Sequence, residues 1–244
     1  MTSEDELPAL SIEDTKLIIA KLGDLTNEIV LIGGQAAGFR AGYYGVEADQ
    51  PLTSKDIDFC GNIAAVGECA KRLGGKARLA GMDRATPVLG VVYYVDREQH
   101  ERKIDFLGHA FGAGLDYDKI RELAIVVDLD ETCSFRVMHP VHNLESRTHN
   151  VAGLPDQYNN PLGLTQLRAS IVCARAFLRT ILDNGEPSGI RHVLNLNTRI
   201  FKFAAYDTHA LAVVPGPRHR RARCSVSGRA IAGEVPRRWL PTLG

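Results

Sequence analysis

The chain has 244 residues, 45% apolar and 24% charged, and its 29 basic residues balance 29 acidic ones at a pI near 7.1. This length can build a sizeable core in one large or two modest domains, and the neutral balance excludes a global attraction to nucleic acid or membranes. No apolar run approaches the roughly 20 residues of a membrane span, and the acidic N-terminus does not resemble a signal peptide. Five scattered cysteines without a CxxC pair favour reduced thiols. We therefore expect a cytoplasmic protein.

Helices and strands alternate along the first 139 residues. Ser11, with Asp14 three residues later, is a typical N-cap for the amphipathic stretch that follows. "EIVLIGG" is a short apolar run ended by glycines, which predicts a buried strand, and an Ala-rich helix should follow at once. The pattern predicts helices at 12–22, 35–45 and 62–75, and strands at 28–34, 55–59, 76–80, 87–95, 102–108, 123–129 and 133–139.

The pattern becomes helical from Pro140 onward. Helices are predicted at 139–154, at 160–185 and from 188. We therefore expect an α/β (α+β) fold in which a mixed sheet with flanking helices precedes a helical part. The segment 215–244 holds seven arginines and one acid, which is typical of a poorly ordered basic tail. An RNA-binding arm and a non-native C-terminus are the alternatives.

Two carboxylates lie two residues apart in "LTSKDIDF". Along a strand, residues i and i+2 share one face, so Asp56 and Asp58 lie together while Ile57 and Phe59 enter the core. The strand "RKIDFLG" repeats this alternation with Asp105. If the two strands are neighbours, three like charges converge and need a cation. Such hard oxygen ligands suit Mg²⁺ or Mn²⁺.

A glycine turn supplies the second half of a candidate site. In "VLIGGQAAGF" a strand ends at Gly33–Gly34 and a helix begins at once. Glycines allow close backbone approach to a ligand, and the helix N-terminus offers unpaired N–H groups to phosphate. Ser54 and Lys55 are expected to add a hydroxyl and a positive charge.

Together these motifs resemble the nucleotidyltransferase fold shared with DNA polymerase beta. The stretches "GGQA", "LTSKDIDF" and "KIDFLG" look most like AbiEii-type nucleotidyltransferases of toxin–antitoxin and phage-defence systems, and the resemblance covers residues 28–184. Together with the change of pattern at Pro140, it predicts a nucleotidyltransferase domain at 1–139 and a helical domain at 140–214, which pack as one unit or two, followed by the tail at 215–244.

The resemblance also implies roles for individual residues. Asp56 and Asp58 would bind two Mg²⁺ ions, and Asp105 would bind the one that activates the acceptor hydroxyl. The nucleotide triphosphate would be contacted by Gly33, Gly34, Gln35, Ser54 and Lys55. The expected partners are an NTP, an RNA or tRNA acceptor and an antitoxin protein, without a membrane.

Two features depart from the family. The segment between Gly34 and Asp56 is longer than usual, so "YYGVEADQPLT" should form a loop insertion. The family carries a lysine near the third acid, but Lys103 is expected to face away from Asp105.

The leading hypothesis is transfer of a nucleoside monophosphate from an NTP to an RNA 3′ end or a protein hydroxyl. Three alternatives stay open: transfer to a small molecule, as in aminoglycoside nucleotidyltransferases, a non-catalytic nucleotide- or partner-binding module, and a sugar-nucleotide-dependent glycosyltransferase that uses the D-x-D pair.

Several other motifs favour ordinary structural roles. Surface or helix-capping positions are favoured over a metal site for His139, His142 and His149. A solvated turn accounts for "VVDLDE", with Asp128 and Asp130, and a turn without a following helix accounts for "GHAFGAG".

Aromatic and basic residues near the site have two interpretations each. Tyr43 and Tyr44 either pack or stack on a base at the rim of the cleft, with packing favoured. Arg147 either reaches the nucleotide or caps a helix.

Overall fold

The computed structural model describes residues 7–46, 52, 54–81, 86–111, 115–129, 133–185, 187–208 and 210. The predicted tail at 215–244 lies outside the described residues. Of the predicted loop insertion at 43–53, residues 47–51 and 53 also lie outside them. None of the helices in these ranges is both long enough and apolar enough to cross a membrane.

Helices and strands follow the predicted order closely. The α-helices of the described residues are Ile12–Leu22 (α1), Gly33–Tyr43 (α2), Ile63–Leu73 (α3), Tyr117–Glu122 (α4), Pro140–Gly153 (α5), Pro155–Tyr158 (α6), Pro161–Asp183 (α7) and Pro187–Tyr206 (α8). The strands are Val30–Ile32 (β1), Ile57–Cys60 (β2), Lys76–Leu79 (β3), Val88–Val95 (β4), Glu101–Leu107 (β5), Ile125–Asp128 (β6) and Ser134–Val137 (β7).

All seven of these strands form one mixed sheet in the order β3-β4-β5-β2-β1-β7-β6. Two pairs in its centre are parallel, β2 with β5 and β1 with β7, and the remaining neighbours are antiparallel. With helices flanking the sheet and a helical C-terminal part, the predicted α/β class is confirmed.

One face of the sheet carries the main hydrophobic core. Phe59 on β2 and Phe106 on β5 are fully buried, and their rings lie 5.8 Å apart. They belong to a cluster with Ile18 and Leu22 of α1 and Val66 of α3. Because side chains alternate along a strand, burying the phenylalanines turns Asp58 and Asp105 to the opposite face.

Local sequence signals account for the ends of several helices. Ser11 caps α1 in a reciprocal arrangement with Asp14, as predicted. Asn62 caps α3, and Gly74 ends it with a left-handed backbone conformation. The short helix α4 after "GHAFGAG" was not expected. Its six residues are too few to show a helical period, although Asp116 caps it.

The helices after residue 139 pack on the preceding part. Ala169 and Cys173 of α7 share a small core with Ala41 of α2 and Leu52. Helix α5 begins at Pro140, next to the predicted boundary between the domains. The division at 139 and 140 stays a prediction, but α5 and α7 form the wall that faces the carboxylates.

Candidate functional site

The three carboxylates line one cleft. Strands β2 and β5 are parallel neighbours in a register that places Asp58 opposite Asp105. Asp56 lies just before β2 begins at Ile57, rather than within the strand. All three residues line a cleft of about 860 Å³ between the sheet and helices α5 to α7. The convergence expected from neighbouring strands is therefore present.

The surroundings of Asp58 disfavour the ionised form of its carboxyl group. Burial, followed by the nearby carboxylate of Asp105, raises the pKa of Asp58 to about 6. A cation that entered the cleft would stabilise the ionised form of this carboxyl group.

Lys103 lies on the same face of β5 as Asp105, so the expectation that it faces away is wrong. Residues i and i+2 of a strand point to one side, and Lys103 and Asp105 both lie within β5. The Lys103 Nζ atom lies 3.2 Å from Asp105 Oδ2 and 3.4 Å from Asp56 Oδ2. Burial alone would lower the pKa of Lys103, but the carboxylates of Asp105 and Asp56 outweigh it and raise that pKa.

The glycine turn meets the carboxylates directly. Gly33 has a φ of +69°, and a Cβ atom there would collide with the Asp58 carboxylate. A Cβ on Gly34 would lie 3.0 Å from Ser54 Oγ. Helix α2 starts at Gly33 without a side-chain cap, and its first residues, Gly33 and Gly34, line the cleft. Because any larger residue at position 33 would collide with Asp58, glycine there allows the N-terminus of α2 to pack against this carboxylate.

The other predicted nucleotide-binding residues have different surroundings. Ser54 lines the cleft, and its hydroxyl donates to the carbonyl oxygen of Asp56 at 2.6 Å. Gln35 is fully buried: its amide accepts from Thr15 Oγ1 at 3.1 Å and donates to the carbonyl of Ser54 at 2.9 Å. Lys55 is half-buried between Ser54 and Asp56. The contacts of Gln35 hold the backbone of Ser54 in place, and nucleotide binding by Gln35 and Lys55 stays a prediction.

Arg147 faces the carboxylates from α5. It is 5% exposed and lines the cleft, and its Nη1 atom donates to Gln166 Oε1 at 2.8 Å. Gln166 in turn donates to the carbonyl of Leu52 at 3.0 Å. Of the two interpretations of Arg147, the structure therefore favours the one in which it points toward the ligand space.

Helix α5 contributes a polar stripe that the sequence reading did not identify as part of a site. Asn143, Arg147 and Asn150 are spaced by four and three residues and line the cleft together. Tyr158 of α6 and Gln166 of α7 line the same space. The helical spacing of the α5 residues was the available signal.

The chemistry of the donors fits a hard divalent cation. Three carboxylates converge, and Asp58 carries a charge that its surroundings disfavour. In the described part of the chain, however, no group of three or more His, Cys, Asp or Glu side chains is arranged as a ready-made metal site. The ammonium of Lys103 instead bridges two of the three acids.

The remaining motifs lie outside this cleft or have structural roles. His139 caps α5, because its side chain accepts a hydrogen bond from the N–H of Val141, as one of the two predicted roles requires. The predicted surface positions are wrong, since His139, His142 and His149 are all buried. Asp128 ends β6, and Asp130 lies outside the described residues, as do residues 112–114 of "GHAFGAG".

Tyr43 and Tyr44 line a separate apolar groove of about 520 Å³, together with Phe39, Phe177 and Ile181. Their two rings make an edge-to-face contact with centroids 4.7 Å apart. They pack there, as favoured, and do not line the carboxylate cleft.

Compared by sequence, the chain matches no family model and no curated protein. Compared by structure, it is similar to the antibiotic-resistance factor ANT(2'')-Ia, with 13% identity and a TM-score of 0.42 over 71% of this chain and 94% of that one. An antigenic nucleotidyltransferase-like protein from Paracoccidioides brasiliensis is similar at 11% identity and a TM-score of 0.41, over 84% and 95% of the two chains. JHP933 from Helicobacter pylori is similar at 12% identity and a TM-score of 0.33, over 72% and 98%.

The neighbours thus include nucleotidyltransferase-like proteins. Because these three TM-scores are below 0.5, an activity for this chain depends on its own residues, and the AbiEii-type assignment stays a prediction.

We expect Gly33→Ala to destabilise the fold by about 3 kcal/mol, because alanine disfavours a φ of +69° and its methyl group would displace Asp58. Gly67→Ala is the matched control. Gly67 lies inside α3, and a Cβ atom there meets nothing within 4 Å, so alanine should stabilise by about 0.5–1 kcal/mol. Urea denaturation measures both, and equal effects would contradict the constraint at Gly33.

We expect Asp58→Asn to change how stability depends on pH in EDTA. The folded chain holds the Asp58 proton up to a pKa of about 6, whereas the unfolded chain releases it near 3.8. Folded wild-type protein therefore binds more protons in this window and loses stability as pH rises through it. The variant lacks this loss, so its free energy of unfolding relative to wild type should rise by on the order of 2 kcal/mol between pH 4 and pH 8.

Urea denaturation at both pH values measures this change. Asp183→Asn, at an exposed position on α7, removes a carboxyl group outside the cleft and is the control. A flat difference for Asp58→Asn would show that the carboxyl of Asp58 titrates normally.

Proposed function

We propose that this chain is a Mg²⁺-dependent nucleotidyltransferase, which moves a nucleoside monophosphate from an NTP to an acceptor hydroxyl. One observation carries the proposal: Asp58 and Asp105 stand side by side on parallel strands and face the Gly33–Gly34 turn at the start of a helix, within one cleft. Clusters of acidic residues occur on many protein surfaces and do not by themselves indicate a function. A glycine turn packed directly against one of the acids is a more specific feature of a nucleotide-binding cleft.

The triphosphate would bind between the turn and α5. The N–H groups at the uncapped start of α2 and its helix dipole favour an anion. Arg147 lies across the cleft and, among the residues that the structure describes, makes one side-chain hydrogen bond, to the neutral amide of Gln166. A guanidinium has five N–H donors, so Arg147 has donors left for phosphate oxygens.

Asp56, Asp58 and Asp105 are the residues that would hold Mg²⁺. Bound there, the metal would neutralise the charge that develops on the phosphate and lower the pKa of the acceptor hydroxyl. The protein groups then mainly position the reactants. The acceptor oxygen forms a bond to the α-phosphorus, the bond from that phosphorus to the bridging oxygen of the β-phosphate breaks, and pyrophosphate leaves. Asp105 takes the hydroxyl proton.

The acceptor classes are those that the resemblance implies: an RNA or tRNA 3′ end, a protein hydroxyl or a small molecule. The toxin role is part of the same proposal. It requires that expression of the wild-type chain arrests bacterial growth and that Asp58→Asn abolishes the arrest. An antitoxin partner would relieve it.

A second candidate is a non-catalytic nucleotide-binding module of the same fold. Lys103 favours it, because an ammonium that bridges Asp56 and Asp105 can neutralise them without any metal. Such a module would bind NTP with or without Mg²⁺ and transfer nothing.

We expect purified protein with α-³²P-labelled NTPs, Mg²⁺ or Mn²⁺ and total RNA to transfer label to RNA or protein. Thin-layer chromatography of the small-molecule fraction detects a low-molecular-weight acceptor. Asp58→Asn and Asp105→Asn should each lower the rate at least 100-fold, since each removes a carboxylate that would hold the metal. EDTA should abolish transfer.

Asp183→Asn serves as the control variant and should keep the wild-type rate. Full activity of Asp58→Asn would refute the carboxylate assignment. NTP binding without transfer to any fraction would select the non-catalytic module.

A further inference from the structure

Lys103 bridges two of the three acids. Its ammonium lies within 3.4 Å of carboxylate oxygens of both Asp56 and Asp105. The two acids come from different segments: Asp105 lies within β5, and Asp56 lies in the stretch leading into β2. The lysine therefore fastens that stretch to the neighbouring strand.

A divalent cation shared by these acids would need the same oxygens. Asp56 and Asp105 are two of the residues that would hold Mg²⁺, because carboxylate oxygens are the ligands that this ion prefers. The ammonium already neutralises part of the charge of both carboxylates, so each binds a second cation less favourably and the two cations compete.

The cleft has room for the lysine to move. Lys103 lines the main cleft and also a neighbouring cavity of about 630 Å³ over β3 and β4, together with Arg78, Val88 and Tyr93. The side chain is 29% exposed, so a rotamer change can carry its ammonium away from the acids without unfolding the strand.

We propose that Lys103 is an internal counter-cation, which holds Asp56 and Asp105 together in metal-free protein and is displaced when a divalent cation binds. The inference rests on the metal centre of the proposed function. Metal binding then has to compete with a group of the protein itself, so Lys103 sets the divalent-cation concentration at which the site fills.

The direct test is the reactivity of the Lys103 amine. Protein in EDTA or in saturating Mn²⁺ is acetylated with sulfo-NHS-acetate for increasing times, and mass spectrometry gives the rate at each lysine. Lys103 should react at least tenfold faster in Mn²⁺, because its ammonium is released from the carboxylates. Lys71, which is 80% exposed, is the internal reference and should react equally in both conditions.

The second test measures Mn²⁺ affinity by electron paramagnetic resonance of the free ion. Lys103→Met removes the competing charge and keeps most of the chain length, so the Kd for Mn²⁺ should fall at least tenfold. Lys71→Met should leave the Kd unchanged. Circular dichroism checks that both variants are folded.

The outcomes separate this inference from the proposed function. If Mn²⁺ binds and label is transferred while the Lys103 reactivity and the Kd of Lys103→Met stay at wild-type values, the inference alone is wrong. If Lys103 is released but no nucleotide is transferred, the displacement stands and the nucleotidyltransferase proposal fails. If neither wild type nor Lys103→Met binds Mn²⁺, both are overturned.

Discussion

The parallel pairing of β2 with β5 is the constraint on which the site depends. Its register places Asp58 beside Asp105 and, on the other face, Phe59 beside Phe106. A shift by one residue would bury the carboxylates and expose the phenylalanines, so the core enforces the register. Burial of the two rings thus holds two like charges together. Repulsion between Asp58 and Asp105 is a consequence of packing on the opposite face.

Three features of the cleft offset the cost of this repulsion. The proton of Asp58 is held to a higher pKa than usual, the ammonium of Lys103 bridges Asp56 and Asp105, and Arg147 lies across the cleft. The charges of the three carboxylates are therefore offset partly by the raised pKa of Asp58 and partly by two basic side chains.

A polar network keeps the rim of the cleft in place. Gln35 ties the Ser54 backbone to α1 and α2, while Gln166 connects Leu52 to Arg147. Buried amides of this kind are costly unless every partner is present. The network fixes both ends of the segment that delivers Asp56, although much of the loop before it lies outside the described residues. It also shows how α7, distant in sequence, contributes to a site that begins at Gly33.

The sequence by itself determined the alternation of helices and strands, the capped starts of α1 and α3, the shared face of Asp56 and Asp58, and the glycine turn. These are local properties, because they follow from side-chain period and from the conformations that particular residues allow. Lys103 also belonged to this class, since the same i and i+2 rule predicts its position beside Asp105. Only the tertiary structure decided that β5 lies next to β2, that Gln35 is a buried bridge and that α5 and α7 close the cleft with Arg147 and Gln166. These contacts join distant segments, such as Leu52 and Gln166, which are 114 residues apart, and their pairing depends on the packing of the whole chain rather than on any local pattern.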